Sequence, residues 1–327
     1  MKSVKIGFSS SWDVLNRAGK KNDFFLQFLG KYDVILVPPE EADYLFFTCF
    51  NGDHHGEAKA DAIKIMFTGE NFCPDFNTCD YALSFEYLDY GDRHLRFPLY
   101  LTYPDIDKLE ARPKLIISDI ESKPNFCNFI YSNSKAAPER DLFFLELNKK
   151  LPVLSAGKHL QNTDDLRERE KISDGNNIKR DYMRDFRFSM SFENSEHPGY
   201  VTEKIVDAFV TRTIPIYWGD PRIADEFNPK SFIDVRSFKT PAAAIDYVID
   251  LNENPDKMLQ ILNSAPLKKA GQTGIYRQKI QAFLENIFDQ DQAEARRRPR
   301  HGFAGNLEHK RRRDQFGIRR FLKRNRV

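Results

Sequence analysis

The chain has 327 residues, 41% apolar and 30% charged, the make-up of a folded globular protein too long for one compact α/β unit and long enough for two. With 4 Cys, 16 Gly and 17 Pro it is neither a disulfide scaffold nor a low-complexity chain, and no run approaches the ~20 apolar residues that cross a bilayer. The overall charge of +2 hides an asymmetry: residues 296–327 carry thirteen Lys/Arg against two Asp/Glu, a local +11, so the remaining 295 residues carry −9 and do not read as a nucleic-acid-binding body.

Residues 1–15 contain one short apolar patch broken by Ser and Asp, which lacks the continuous core of an export signal and predicts a cytoplasmic location. Cys49, Cys73, Cys79 and Cys127 form no CxxC pair and read as reduced thiols, with a Cys73 to Cys79 bond as the alternative.

In chain order, residues 4–8, 33–37, 44–48, 63–68, 81–85 and 126–132 are short apolar or alternating runs that predict strands. Among them lies a helical pattern at 23–31, with Phe24, Phe25, Phe28 and Leu29 in one stripe. A helix opens at Pro138, carries Phe143, Phe144 and Leu147 on its apolar side, and breaks at Leu151-Pro152, where the domain change is expected. Residues 155–177 are polar and charged and read as a mobile loop.

The second half alternates more clearly. Phe186, Phe188, Met190 and Phe192 define a strand; a helix is predicted at 200–212, a strand at 214–218, a short helix after Pro221, a strand at 232–235, and helices at 242–251, 256–263 and 276–288. Strands alternating with helices predict an α/β fold with mostly parallel sheets. The boundaries implied are an N-terminal domain at 1–152, a C-terminal domain at 153–290 and a basic tail at 291–327.

Residues 188–219, FSMSFENSEHPGYVTEKIVDAFVTRTIPIYWG, carry the most chemistry. On a helix over 200–212, Tyr200, Glu203, Lys204 and Asp207 share one face and Val201, Ile205, Ala208 and Phe209 another. Pro198-Gly199 marks the turn before it, and the amide groups of such a helix start favour phosphate. A nucleotide diphosphate-sugar would set Lys204 against the diphosphate, Tyr200 against ring or phosphate, and Glu203 near the sugar, where positive charge develops. By spacing alone, an exposed Glu-Lys ladder after a turn fits equally well.

The elements ENS, YVTEK and IPIYWGDP resemble the signature region of the α1,3-fucosyltransferases, and the resemblance extends over residues 65–100, IMFTGENFCPDFNTCDYALSFEYLDYGDRHLRFPLY, and over FNPKSFIDV at 227–235. It implies a GT-B fold of two Rossmann-like domains facing a central cleft, GDP-fucose as donor, inversion at the anomeric carbon, and a 3-OH acceptor on N-acetylglucosamine or glucose in N-acetyllactosamine-type glycans. The same resemblance assigns donor binding to Asn194, Tyr200, Glu203 and Lys204, and to Arg140 of APER as the arginine that reaches the diphosphate. Glu70, in FTGEN at the end of a predicted strand, is implied as the base that takes the acceptor proton, with Glu203 as the second catalytic group.

No obligatory metal is implied. Asp105-Ile106-Asp107 has the form of a metal-binding carboxylate pair but sits in a different context, and Arg140, Lys204 and a helix terminus can carry the leaving group. In the tail, Ile318, Phe321 and Leu322 can gather on one side of a helix among basic residues, which predicts peripheral attachment to the inner face of an anionic membrane, beside oligosaccharide or glycolipid acceptors of lipopolysaccharide type. Two other readings stay open: a retaining GT-B transferase using another nucleotide sugar, and a non-enzymatic nucleic-acid-binding protein using the basic tail. The first is disfavoured because Glu193 and Glu203 are ten residues apart and position 204 is Lys.

Overall fold

The computed structural model describes residues 1–9, 23–50, 58–59, 61–172 and 177–299, and beyond these 302–303, 305–307, 310–311 and 313–314. The chain divides into two compact units, one made of Met1–Phe97 with Ile275–Val327, the other of Pro98–Gly274.

The first unit is built on a six-stranded parallel sheet: β1 (Ser3–Phe8), β2 (Asp33–Leu36), β3 (Tyr44–Phe47), β4 (Ile63–Phe67), β5 (Tyr81–Ser84) and β6 (His94–Arg96), in the order β2-β1-β3-β4-β5-β6. Strands β3 and β4, YLFF and IKIMF, are buried at every residue, as central strands covered on both faces must be. Phe46 and Phe67 lie under Phe25 on one face, while Leu45, Phe47 and Met66 pack with Ala58 and Cys79 on the other. The predicted helix at 23–31 is shorter, Asp23–Leu26, and β6 was not foreseen because HLR has no apolar run.

The second unit holds β7 (Asn125–Phe129), β8 (Val153–Ser155), β9 (Phe186–Phe192), β10 (Ile214–Trp218) and β11 (Ile233–Asp234), all parallel, in the order β11-β10-β9-β7-β8. Its core joins Phe129 of β7 and Phe143 and Phe144 of the helix Pro138–Asn148 with Phe188 and Phe192 of β9. Read within each unit, both sheets open with the strand order 2-1-3-4-5, so each has a point between its first and third strands where the order reverses and a crevice opens at the carboxyl ends.

The division differs from the one expected at 152–153 and 290–291. Strand β7 and the helix Pro138–Asn148 join the second unit because β7 pairs with β9, a contact between residues some sixty apart that no local pattern encodes. The helix Gln272–Asp289 carries the chain back into the first unit. There Lys2 Nζ donates to the carbonyls of Phe288 and Gln290, Tyr32 Oη to Asp289, and Arg298 Nη2 to the carbonyl of Ala62. Lys2, Tyr32 and Ala62 each stand just before a strand, so residues 288–298 strap the amino edge of this sheet.

Where a mobile loop was expected over 155–177 the chain forms a helix at Asp165–Ile172, and β8, which ends at Ser155, was missed. All four cysteines are free thiols, Cys73 exposed and Cys79 buried. Among the described residues no helix is long and apolar enough to cross a membrane. Ile318, Phe321 and Leu322 lie outside the described residues.

Candidate active site

The reversal point of the second sheet lies between β7 and β9, and the loops leaving these strands are tied together: the amide of Ala137 donates to the carbonyl of Asn194 at 2.8 Å. Just past β7, the Tyr131 hydroxyl accepts from the amide of Phe192 at 2.8 Å and donates to the carbonyl of Met190 at 2.9 Å. From the loop after β8, Gly157 packs on the backbone of Tyr131, where a Cβ would lie 2.2 Å from the Tyr131 carbonyl oxygen.

Past β9, Glu193 is fully buried, and its carboxylate is surrounded by donors. Oε1 accepts from the Thr202 amide at 2.8 Å, and Oε2 from Thr202 Oγ1 at 2.7 Å and Lys204 Nζ at 3.0 Å. Gly219, after β10, sits so close that a Cβ would meet Glu193 Cγ at 2.6 Å. Burial would pull the Lys204 ammonium toward deprotonation, but Glu193 and Glu203 outweigh it and hold its pKa well above the ordinary lysine value.

The helix that carries this face is Glu203–Val210, shorter than predicted, and Tyr200 precedes it rather than belonging to it. The reason is local: Gly199 takes φ 84° and donates its amide to Asp220, and Thr202 caps the helix position while its side chain makes no capping bond to the helix. Tyr200 is buried, while Glu203 is partly exposed, with no hydrogen-bond partner for its carboxylate among the described residues. Asp207 is buried and pairs with Lys179 and Arg180, and Arg180 pairs in turn with Asp105. Asp105 therefore serves an ion-pair network, joined by Lys108, and not a metal pair with Asp107; among the described residues no metal-holding group of acids, His or Cys occurs.

Arg140 is fully buried, not on the helix surface. Its Nε donates to Asp141 at 2.9 Å, its Nη2 to the carbonyl of Asn133 at 2.9 Å, and its guanidinium stands 4.6 Å from the Tyr131 ring. Nη1 is buried without a hydrogen-bond partner among the described residues, and a buried N–H on a cation that lacks a partner invites an explanation. The pocket is less cation-rich than expected, because Lys204 and Arg140 each arrive with a carboxylate, from Glu193 and Asp141.

Beside this cluster, a cavity of about 480 Å³ opens at the carboxyl ends of the sheet, lined by Phe192, Trp218 and Val235, with Phe143 and Phe238 on its walls and Glu139 and Arg236 at its edge. Its size and apolar lining suit a small ligand. Arg236 also forms an ion pair with Glu196 of the β9 loop.

Arg140 lies in the first turn of the helix after β7, and Asn194, Tyr200, Glu203 and Lys204 follow β9, the neighbouring strand of the same sheet. Glu70 belongs to the first unit, at the carboxyl end of β4, where Thr68 Oγ1 accepts its amide at 3.1 Å and its carboxylate is exposed with no hydrogen-bond partner among the described residues. The sequence reading missed Tyr131, Asp141 and His159, whose roles depend on neighbours far along the chain. It noted Glu193 only by its spacing, although a carboxylate ending an apolar strand was a usable signal.

Two Rossmann-like parallel units, each with a reversal in its strand order, define a protein of GT-B architecture. Residues 6–103 match the family model for the alpha-(1,3)-fucosyltransferase FucT N-terminal domain, and residues 120–264 that for the C-terminal part of glycosyltransferase family 10 (fucosyltransferase). The chain is 34% identical to the alpha-(1,3)-fucosyltransferase FucT of Helicobacter pylori over 88% of its own length and 66% of that protein's. It is 28% identical to the mouse (Mus musculus) 4-galactosyl-N-acetylglucosaminide 3-alpha-L-fucosyltransferase 9 over 53% of this chain and 48% of that one. A solved structure of an alpha1,3-fucosyltransferase with GDP-fucose is 30% identical and superposes with a TM-score of 0.69, covering 89% of this chain and 92% of that one. The chain belongs to the family 10 fucosyltransferases, and it spans about two thirds of the Helicobacter pylori relative and about half of the mouse one.

Proposed function

We propose that this chain is an inverting α1,3-fucosyltransferase that moves L-fucose from GDP-fucose to the 3-OH of N-acetylglucosamine or glucose in N-acetyllactosamine-type glycans, on lipopolysaccharide or a related glycoconjugate. The observation that carries this is the crevice between β7 and β9, where Arg140, in the helix after β7, keeps a buried N–H without a partner among the described residues, and Lys204, after β9, pairs with the fully buried Glu193. The relative solved with GDP-fucose supports the donor, and the activity named for the mouse relative supports the acceptor.

In this reading Arg140, Lys204 and the amino end of the helix Glu203–Val210 receive the diphosphate and stabilise the charge left on GDP as the glycosyl bond breaks. The guanine base enters the adjacent apolar cavity, where Trp218 and Phe192 offer aromatic surface. Tyr200 and Asn194 border the sugar diphosphate, and Glu203, with its open carboxylate, faces the positive charge that develops on the fucose ring. The acceptor 3-OH gives its proton to Glu70 as its oxygen bonds to the anomeric carbon and GDP departs, so a single displacement inverts that centre. No step needs a metal. Exposed Phe72, in the loop after β4, supports sugar binding near Glu70, because aromatic faces pack on the C–H faces of hexoses.

The test is a titration with GDP and GDP-fucose, with GDP release followed on free N-acetyllactosamine. Glu70→Gln should keep GDP-fucose affinity and lose transfer by about 10²–10⁴-fold, the usual contribution of a general base. Absence of GDP binding, or undiminished turnover by Glu70→Gln, refutes the assignment.

The basic segment beyond Pro299 is proposed to hold the protein on the inner, anionic face of a cytoplasmic membrane. Its support is charge: residues 300–327 carry ten Lys/Arg and two Asp/Glu.

A further inference from the structure

The second unit contains a chain of polar contacts that the proposed reaction leaves unexplained. Asp141 stands between two groups: Oδ1 accepts from Arg140 Nε at 2.9 Å, and Oδ2 faces His159 Nε2 at 2.7 Å. His159 comes from the loop after β8, and its side chain is only 14% exposed. Its backbone is fixed on both sides, the amide donating to the carbonyl of Tyr131 at 2.9 Å and the carbonyl accepting from Ser155 Oγ at 3.1 Å. The next residue, Leu160, has φ 48°, a left-handed conformation that is strained for a non-glycine residue and persists only where surrounding contacts enforce it.

Loops after β7 and β8 therefore converge on one guanidinium. Tyr131 stacks on Arg140 from one side, while Asp141 takes its Nε and is itself held by His159. This uses two of the three nitrogens and leaves Nη1 buried and unpaired. A planar guanidinium fixed at Nε and Nη2 has no freedom to turn Nη1 elsewhere, which is the arrangement needed for directional bonding to a phosphate oxygen.

We propose that Asp141 and His159 are positioning residues for the donor: together they orient Arg140 so that its open N–H meets the diphosphate of the nucleotide sugar. The inference rests on the donor role of Arg140 proposed above. It adds that donor affinity depends on a histidine one strand away that touches neither the nucleotide nor the reacting atoms.

The experiment compares the full-length protein with Arg140→Met, Asp141→Asn, His159→Phe, His159→Gln and the double variant Arg140→Met/His159→Phe. Thermal unfolding, GDP affinity by calorimetry, and KM and kcat for GDP-fucose are measured for each. His159→Phe and Asp141→Asn should weaken GDP about tenfold, the scale of one lost hydrogen bond to a charged group, and raise KM for GDP-fucose while leaving KM for the acceptor unchanged. His159→Gln, whose amide nitrogen reaches the position of the imidazole Nε2, should recover most of the affinity. The double variant should bind GDP no more weakly than Arg140→Met alone, because a relay acting only through Arg140 has nothing left to position.

If Arg140→Met weakens GDP but the His159 and Asp141 variants do not, the relay is refuted and the donor reading stands. An additive loss in the double variant also refutes it, as does a loss in His159→Gln equal to that in His159→Phe. If Arg140→Met binds GDP normally, the donor reading of Arg140 fails and the relay falls with it. Should His159→Phe not fold, Asp141→Asn and His159→Gln decide between the same outcomes.

Discussion

Replacing Arg298 by Met separates the structural part of the basic C-terminal segment from the rest. Arg298 and Asp80 are both fully buried at the side chain and pair at 2.9 Å, and Arg298 Nη2 bonds the carbonyl of Ala62. The Asp80 carboxylate also accepts the amides of Lys64 at 2.7 Å, Arg297 at 3.0 Å and Arg298 at 2.8 Å, which the substitution leaves in place. Removing one partner of a buried pair costs about 3–5 kcal/mol, because the remaining charge stays buried and uncompensated. The retained amide donors favour the lower end. In a unit of roughly 150 residues each kcal/mol moves Tm by about 2–4 °C, so a fall of roughly 10 °C is expected. The assay is thermal unfolding of the full chain followed by circular dichroism, with Asp80→Asn/Arg298→Met alongside, which should recover part of the loss by removing the orphaned charge. A fall below about 2 °C would mean that the C-terminal strap does not stabilise the first unit.

The same pair decides how the membrane proposal is tested. A chain ended after Pro299 keeps Arg297 and Arg298, and should retain nearly all of its Tm and its turnover on soluble acceptors while losing affinity for anionic vesicles in sedimentation; vesicle binding equal to the full chain refutes membrane attachment by residues 300–327. In the second unit, burial alone would raise the Asp207 carboxyl, but Lys179 and Arg180 outweigh it and hold its pKa below the ordinary 3.8. Its stabilising contribution is thus complete above about pH 4 and is lost as pH falls further, because the unfolded chain takes up the proton first. Urea midpoints measured between about pH 5 and pH 3 should fall less steeply for Asp207→Asn than for the parent, and parallel slopes would exclude this linkage; only part of the acid sensitivity goes, since Asp105, also held low, still pairs with Arg180.

Much of the fold was legible in local pattern. Strands such as β3, β4 and β10 are apolar runs of four or five residues, and the helices Pro241–Asn252 and Pro255–Asn263 open with proline behind a capping Thr240 and Asn254. The three-residue strands β6 and β8 were not, because a strand that short exists only through its neighbour. Asn194, Tyr200, Glu203 and Lys204 were singled out by resemblance to the family motif, since their spacing alone fitted an exposed Glu-Lys ladder equally well. The placement of Tyr200 on the helix failed, since the left-handed Gly199 and its bond to Asp220 delay the helix to Glu203.

By itself the sequence determined the α/β class, encoded by period and turn chemistry, and carried the family signature in short contiguous motifs. Only the tertiary structure decided that β7 pairs with β9, that Lys204 comes with Glu193 and Arg140 with Asp141 and His159, and that the basic segment begins as a buried strap. These depend on which distant carboxylate or carbonyl meets each cation, and chain packing sets that choice.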